Sequence, residues 1–330
     1  MPSSNPAPSP GFSFQHRFSD IDQFAEGIQP FGKVRLTQLS LKGLQCDLRL
    51  ATFDGLQFVF IKSSCPILTV GEKPRDFITF ACLLEVAGPC LVAHHRKLSH
   101  STLAGFDPSR EAKLVLPPDM QFLLFQIKRN ILQNCLEAME RDDLNEHFWA
   151  HNFVQLPETM LPVKAYLWQL LYLIEHQPKF LQRPQFKKLL FEDFMPLLIN
   201  AIPPVTRNTL TPPPLIARAE LVKQAEDYML AHLDQPLTLA QLCQALYVSK
   251  RSLFYGFEEM FGVSPMAYLK IQRLRAVRKT LTVATPETVS VTSIAHQFGF
   301  WSLGHFARDY KTKFGERPSE TLRRATPRCP

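Results

Sequence analysis

Histidine, cysteine and basic side chains are the residues of this 330-residue chain whose spacing invites a chemical reading. His94, His95 and His100 lie close together, but successive side chains of an extended strand point to opposite faces. Two imidazoles aimed into one lumen would need H-x-H spacing, which His94-His95 lacks, and no metal site is expected there. His147 and His151 share a helical face, yet "EHFWAH" is not H-E-x-x-H and no third ligand is evident. Seven cysteines, Cys46, Cys65, Cys82, Cys90, Cys135, Cys243 and Cys329, form no C-x-x-C pair, so they read as small buried apolar residues rather than zinc ligands or a disulfide framework. No catalytic residue and no cofactor is assigned. Charge is more informative: residues 215–330 hold 16 Lys/Arg against 10 Asp/Glu and residues 1–214 hold 21 against 20, so six of the seven net positive charges lie C-terminally. An imbalance of that kind calls for a polyanionic partner, although charge alone fits DNA, RNA or anionic lipid equally.

The elements that position the basic residues are written in a repeat. Counting from Ser249 and from Ser302, large apolar residues fall at offsets four, eight and twelve: Leu253, Phe257, Phe261 and Phe306, Tyr310, Phe314. Gly262 and Gly315 follow at once, Pro265 and Pro318 three residues later, and the two copies match across a shift of 53 residues. A four-residue step advances only about 40° around a helix, so each copy buries one slanting stripe and exposes the opposite face. Shorter helical segments ending near Leu246 and Phe298 precede the copies, which gives each the helix-turn-helix order. Thr238 with Gln241 forms a capping box, Ser249 and Ser264 are further N-caps, and a long basic helix from Met266 to Leu281 separates the units. Two such second helices can enter successive major grooves, about 34 Å apart, if the long helix spaces them correctly.

Residues 1–202 have a different grain. Apolar residues alternate from Val34 to Ile61, with Asp54-Gly55 as a hairpin signal, and Phe77–Leu84, Leu114–Leu116 and Phe122–Ile127 read as more buried strands. The period then changes towards 3.6 between Lys128 and Ile202, so a β-sandwich or barrel followed by two or three amphipathic helices is expected. Residues 203–214, "PPVTRNTLTPPP", carry five prolines and are expected to be a semi-rigid spacer. The expected organisation is a loose tail at 1–11, a regulatory domain at 12–202, the spacer at 203–214 and an all-helical domain at 215–325. No apolar stretch is long enough to span a bilayer and no secretory signal is read at the start, so a cytoplasmic protein without a membrane partner is expected.

Residues 215–325 resemble the DNA-binding domain of the AraC/XylS family of bacterial transcription regulators, in "LTLAQLCQALYVSKRSLFYGFEEMFGVSPMAYLKIQRLRAVRKTL" and in "IAHQFGFWSLGHFARDYKTKFGERPSE". The resemblance implies two helix-turn-helix units joined by a long helix, and double-stranded DNA as partner. Carried over by position, it implies base contacts at Arg251, Phe254 and Tyr255 in the first unit and at Leu303, Gly304, His305 and Arg308 in the second. Lys250, Lys270, Arg273, Lys311 and Lys313 are then candidates for phosphate contacts. Tyr247 stands where the family often has a turn glycine, Cys243 where it usually has alanine, and Thr321-Leu322 replaces a common Tyr-Arg.

More weakly, the N-terminal half resembles the regulatory domains of the same family, a short helix in "FSDIDQFAEGI" followed by a cupin-like β-barrel. That resemblance implies a small-molecule effector, a homodimer and, for an activator, contact with RNA polymerase. Helices containing Leu167, Leu170, Leu171, Ile174, Leu190 and Leu197 could form the dimer face or cover the open side of the sheet. Two other functions stand beside the regulator: a cupin-type metalloenzyme fused to a DNA-binding module, and a thiol-based redox sensor using Cys65 or Cys90.

Overall fold

Alternation in the first third of the chain does produce strands, in a computed structural model that describes residues 12–156, 158–205, 215–284 and 289–325. The expected tail at 1–11 and most of the expected spacer lie outside the described residues. Two units are present: Met1–Phe18, Asp22–Thr37 and Gln45–Pro214 form the first, and Ser19–Ile21, Gln38–Leu44 and Leu215–Pro330 the second.

In chain order the strands are β1 (Phe12–Phe18), β2 (Lys33–Gln38), β3 (Cys46–Phe53), β4 (Leu56–Ser63), β5 (Ile67–Glu72), β6 (Phe77–Leu83), β7 (Leu91–Ala93), β8 (Arg96–Leu98), β9 (Thr102–Ala104), β10 (Ala112–Leu116), β11 (Gln121–Lys128) and β12 (Phe153–Gln155). One sheet runs β1-β3-β4-β11-β6-β9-β12 and the other β2-β5-β10-β7-β8, two facing sheets rather than one closed cylinder. The β3–β4 hairpin turns at Asp54-Gly55, with Phe53 opposite Leu56 and Gly55 at φ 85°, a backbone setting that glycine adopts without Cβ strain. The alternation of Leu39 and Leu41 makes no strand, because those residues lie in an irregular segment after β2.

The helices of this region are α1 (Ile21–Ile28), α2 (Arg129–Ala138), α3 (Glu146–Trp149), α4 (Met160–His176), α5 (Pro184–Leu189) and α6 (Met195–Ala201), with a π-helical turn at Leu190–Phe194. All but α1 cover one face of the larger sheet, while Phe24 and Ile28 of α1 line the cavity on the other side. Phe58, Phe60, Phe80 and Phe125 point to that side and pack with Leu167, Leu170, Leu171 and Ile174 of α4, and with Leu190, Phe194 and Leu198. The reverse face of the same strands carries smaller side chains, among them Val59, Ile61, Thr79, Ala81 and Leu124, and these line a cavity shared with the second sheet.

Of the two readings of these helices, dimer face or cover for the sheet, the named residues serve the second. Leu167, Leu170, Leu171, Ile174 and Leu190 are all at most 4% exposed within their own unit, and Leu197 packs partly buried beside them. Their apolar stripe is spent on covering the sheet. The outward stripe of α4 instead presents Leu161, Trp168 and Tyr172, exposed by 55%, 42% and 55%.

The second unit contains α7 (Ala219–Ala231), α8 (Leu239–Ala245), α9 (Lys250–Phe261), α10 (Pro265–Val283), α11 (Val291–Gln297), α12 (Leu303–Phe314) and α13 (Pro318–Ala325). The spine is α10, which packs on α7 and α9 at one end and on α11 and α13 at the other. Its Tyr268 is fully buried and donates a 2.6 Å hydrogen bond to the buried Glu226 carboxylate of α7, tying the first half together. Leu274, Val277 and Leu281 carry the other half, against Ile294, Phe306, Tyr310 and Phe314.

Candidate nucleic-acid interface

Caps and turns set where each second helix begins. The Thr238 hydroxyl accepts from the Gln241 amide while Gln241 accepts from the Thr238 amide, so α8 starts with a complete capping box, and Ser290 with Ser293 does the same for α11. Ser249 Oγ accepts from the Ser252 amide at 3.1 Å and Ser264 Oγ from the Ala267 amide at 3.3 Å. Ser302 makes no such bond with its side chain. At the far ends Gly262 and Gly315 take φ values of 68° and 74° and stop α9 and α12.

The apolar stripes face inwards as the four-residue spacing predicts. Leu253, Phe257 and Phe261 are 0–1% exposed, and Phe306, Tyr310 and Phe314 are 0–6% exposed. The opposite faces therefore look outwards together with their polar groups. Arg251, Phe254 and Tyr255 are exposed on α9; Leu303, Gly304, His305 and Arg308 are exposed on α12. Arg308 makes no hydrogen bond or ion pair among the described residues, so its guanidinium keeps all five donors for a partner. On α9, by contrast, two guanidinium groups approach the Tyr255 ring, Arg251 at 5.4 Å and Arg218 at 5.7 Å from its centroid. These cation–π contacts fix the ring and bring Arg218 into the same exposed group.

The basic residues expected to meet phosphate divide in two. Lys250 and Lys311 are exposed and their ammonium groups make no hydrogen bond or ion pair among the described residues. Lys270 forms a 2.5 Å ion pair with Asp309, linking α10 to α12. Arg273 donates to the Leu233 carbonyl at 3.1 Å and to the Gln235 carbonyl, and its burial lowers the guanidinium pKa below the ordinary value. Lys313 is only 3% exposed, and its Nζ donates to the Gln38 and Ser40 carbonyls at 2.9 and 3.2 Å, within the same unit. Burial of Lys313 corrects its reading as a phosphate contact, while Lys270 and Arg273 already have partners inside the domain; the charge count could not distinguish a cation that bridges elements from one left in solvent.

Two residues of the exposed face escaped the sequence reading. Arg218 precedes α7, more than thirty positions before Tyr255, and only the fold brings the two together. Trp301 is 69% exposed at the mouth of the second unit, its ring stacked on His296 at 5.2 Å. An exposed tryptophan directly before an N-cap serine was the available signal.

Elsewhere the chemistry-bearing residues stay dispersed. No group of three or more His, Cys, Asp or Glu able to hold a metal occurs among the described residues. His147 and His151 stack edge to face at 4.8 Å, with His151 Nδ1 2.7 Å from the His147 carbonyl. His94 lines the cavity beside Phe153, and desolvation, followed by the charge of Arg110, pushes its pKa down to about 4. Cys65 is buried, Cys90 lies 4.0 Å from His100 Nε2, and burial raises the Cys82 thiol to about 12.

With the geometry established, known proteins resemble this chain at its C-terminal end. Residues 242–324 match a family described as a helix-turn-helix domain. A stretch of 103 residues, 31% of this chain, is 48% identical to the "Probable thc operon regulatory protein" of Rhodococcus erythropolis, covering 31% of that protein. Another of 91 residues is 38% identical to "XylDLEGF operon transcriptional activator 2" of Pseudomonas putida, covering 28% of this chain and 58% of that one. The matches thus span about a third to somewhat over half the length of these curated relatives. A solved structure described as a probable AraC family transcriptional regulator from Rhodopseudomonas palustris is 44% identical over 33% of this chain and 99% of its own, with a TM-score of 0.31. No helix among the described residues is long and apolar enough to cross a membrane.

Proposed function

Because the chain belongs to the AraC/XylS family of transcription regulators through its C-terminal domain, we propose that it binds specific double-stranded DNA in the cytoplasm with both helix-turn-helix units and regulates transcription in response to a small molecule. The observation that carries this reading is the pair of matched recognition helices on a common spine. At 19 residues and about 1.5 Å per residue, α10 is about 28 Å long, comparable to the roughly 34 Å between successive major grooves. Arg308 is the base-reading residue of the second unit, where an arginine bidentate to guanine discriminates by about 1–3 kcal/mol. In the first unit, Arg251, Phe254 and Tyr255 form a mixed cation and aromatic surface, suited to thymine methyl groups and phosphate together. Leu303, Gly304 and His305 allow close approach at the start of α12, and Lys250 and Lys311 neutralise phosphates.

The hollow first unit is the effector site, and the regulator works as a homodimer through the outward stripe of α4. An activator of this kind contacts RNA polymerase as well. Trp168→Glu then shifts the sedimenting species from dimer to monomer; a monomeric wild-type protein would remove that part of the reading. For DNA recognition the test is selection of bound fragments from a random pool by the wild-type chain. One enriched motif with two half-sites about one helical turn apart is expected, and recovery of unenriched sequence would overturn the reading.

A further inference from the structure

The cavity between the two sheets carries a polarity that names the chemistry of its occupant, an inference that rests on the effector-site reading above. Most of its wall is hydrocarbon, from residues such as Val59, Ile61, Leu91, Leu116, Phe122 and Leu124. Alanines at 81, 93, 104 and 112 stand on the lining where larger side chains would fill the space, so the hollow is written in the sequence. Polar groups concentrate at one end. Lys73 Nζ donates to the Gly105 carbonyl at 2.8 Å, the Gly105 amide donates to the Asn152 carbonyl at 3.0 Å, and Gly105 lies against Thr79 of β6. Thr79 is the register partner of Gln126 on β11, and the Gln126 side-chain amide donates to its hydroxyl at 3.2 Å.

Two polar atoms at this end are buried without partners. Asn152 is 1% exposed, and its Oδ1 accepts from the Asp107 amide at 3.0 Å, which identifies Nδ2 as the remaining donor; that atom finds no acceptor. Gln126 is also 1% exposed, its Nε2 is committed to the Phe31 carbonyl at 2.8 Å, and its Oε1 finds no donor. An unpaired buried polar atom of this sort costs about 1–3 kcal/mol, so a native fold retains it for a reason. Lys73 supplies the charge. It makes no ion pair among the described residues, although Glu72 and Asp107 are near, and Asp107 Oδ1 is taken by the Ser109 amide and hydroxyl. Burial pulls its pKa down to about 8, which leaves the ammonium mostly protonated at neutral pH and poorly solvated. Lys73 also lines an outer groove with Arg75, Arg110 and Arg129 against Glu72 and Glu111, so the surface on that side of the lysine is net cationic.

We propose that the cavity binds a small carboxylic acid with an apolar body and a hydroxyl beside the carboxylate. The carboxylate accepts from Lys73 Nζ and Asn152 Nδ2, the hydroxyl donates to Gln126 Oε1, and the hydrocarbon fills the alanine-lined space. The enclosed room is about 80 Å³. Since a cavity of about 150 Å³ admits benzene, a body of roughly four carbons is the scale to test first.

The test titrates the full-length protein by calorimetry with 2-hydroxybutanoate, butanoate and butan-1-ol. The expected order is hydroxy acid, then acid, then alcohol, with about tenfold between the acid and the alcohol because a charged hydrogen bond is lost. Lys73→Met abolishes the preference for acid over alcohol, and its ligand-free melting temperature reports whether it still folds; the three-ligand series on the wild-type protein decides the matter if it does not. Alcohol bound as tightly as acid, no binding of either acid, or unchanged acid affinity in folded Lys73→Met would each overturn the proposal. Binding to the selected DNA is measured in the same samples. DNA bound while neither acid binds sinks the ligand class alone, whereas acid bound with no change in DNA affinity leaves the ligand class standing and sinks the effector reading.

Discussion

Offset by offset from Ser249 and Ser302, the two recognition helices agree on their buried sides and disagree on their outward sides. At offsets four, eight and twelve, Leu253, Phe257 and Phe261 answer to Phe306, Tyr310 and Phe314, all buried. At offset two Arg251 answers to Gly304, at offset five Phe254 to Ala307, and at offset six Tyr255 to Arg308. The inner positions are constrained by close packing against neighbouring helices, which penalises a lost or added methylene, and so they repeat. The outer positions answer only to what lies outside the fold. Two units on the same frame therefore present different donors, and they are expected to read different base pairs. The difference also reaches the supports: at offset seven Gly256 lets α9 approach α7, while Asp309 holds α12 to α10 through Lys270.

The largest effects are expected where the stripes agree. Phe257→Ala and Tyr310→Ala each remove a fully buried ring and are expected to cost about 3–5 kcal/mol of unfolding free energy in urea titrations. The finer comparison exchanges the two. The Tyr310 hydroxyl lies 2.9 Å from Thr321 Oγ1, which in turn donates to Glu316, whereas Phe257 sits among Phe261 and Tyr268 rings. Tyr310→Phe is expected to cost about 1 kcal/mol and Phe257→Tyr about 1–3 kcal/mol, the second because it buries a hydroxyl in an aromatic site. Equal, negligible costs would mean that the two cores are interchangeable and that the hydroxyl network contributes nothing.

A second difference concerns helix approach. A Cβ at Gly256 would sit 2.5 Å from Val222 Cγ2, so Gly256→Ala must push α7 from α9 and is expected to destabilise the domain by about 1–3 kcal/mol. The same offset in the second unit is held by a partly exposed ion pair, so Asp309→Ala is expected to cost at most about 1 kcal/mol and less at high salt. Paired thermal melts at low and high salt decide it, and a larger loss for Asp309→Ala would reverse the assignment.

On the reading surface, Arg308→Ala is expected to erase about 1–3 kcal/mol of preference at one base pair, seen as a relaxed position when bound sites are selected again. Arg251→Ala should weaken binding with a smaller loss of preference, since its guanidinium already engages the Tyr255 ring. Lys311→Ala is expected to lower affinity for all sequences and reduce the salt slope by about one. Lys270→Ala, whose ammonium is paired with Asp309, should change that slope less. Loss of preference in Arg251→Ala but not in Arg308→Ala would exchange the roles of the two units.

Much of this is legible in the sequence. The repeat, the caps at Thr238, Ser249, Ser264 and Ser290, and the inward stripes all depend on neighbours within a few residues, and local spacing encodes them directly. The β3–β4 hairpin was legible for the same reason. What escaped depended on distant parts of the chain meeting. Burial of Lys313 requires the Gln38–Leu44 segment, the cation–π pair at Tyr255 requires Arg218, and the burial of the α4 stripe requires strands as distant as β4 and β6. The orphaned Asn152 and Gln126 atoms belong to the same class, because an unmet hydrogen bond has no sequence signature until its surroundings are in place. Three-residue strands such as β7 and β9 were missed because too few residues alternate to establish a period.

The smallest expected effect separates the two turns. After α8 the left-handed position is taken by Tyr247 at φ 55°, 95% exposed, and after α11 by Gly299 at φ 77°. A Cβ in that backbone region costs roughly 1–2 kcal/mol, and glycine avoids it while losing more conformational freedom on folding, so the two terms nearly offset each other. Tyr247→Gly is therefore expected to stabilise the domain by less than about 1 kcal/mol. Gly299→Ala meets the same backbone penalty, with its new Cβ 3.2 Å from Arg273 Nη1, and should destabilise by about 1 kcal/mol or somewhat more. Opposite signs in matched denaturant titrations are the expected result. If Tyr247→Gly instead lowers both stability and DNA affinity, the exposed ring has a role at the DNA that outweighs its strain, and the first unit's turn joins its reading surface.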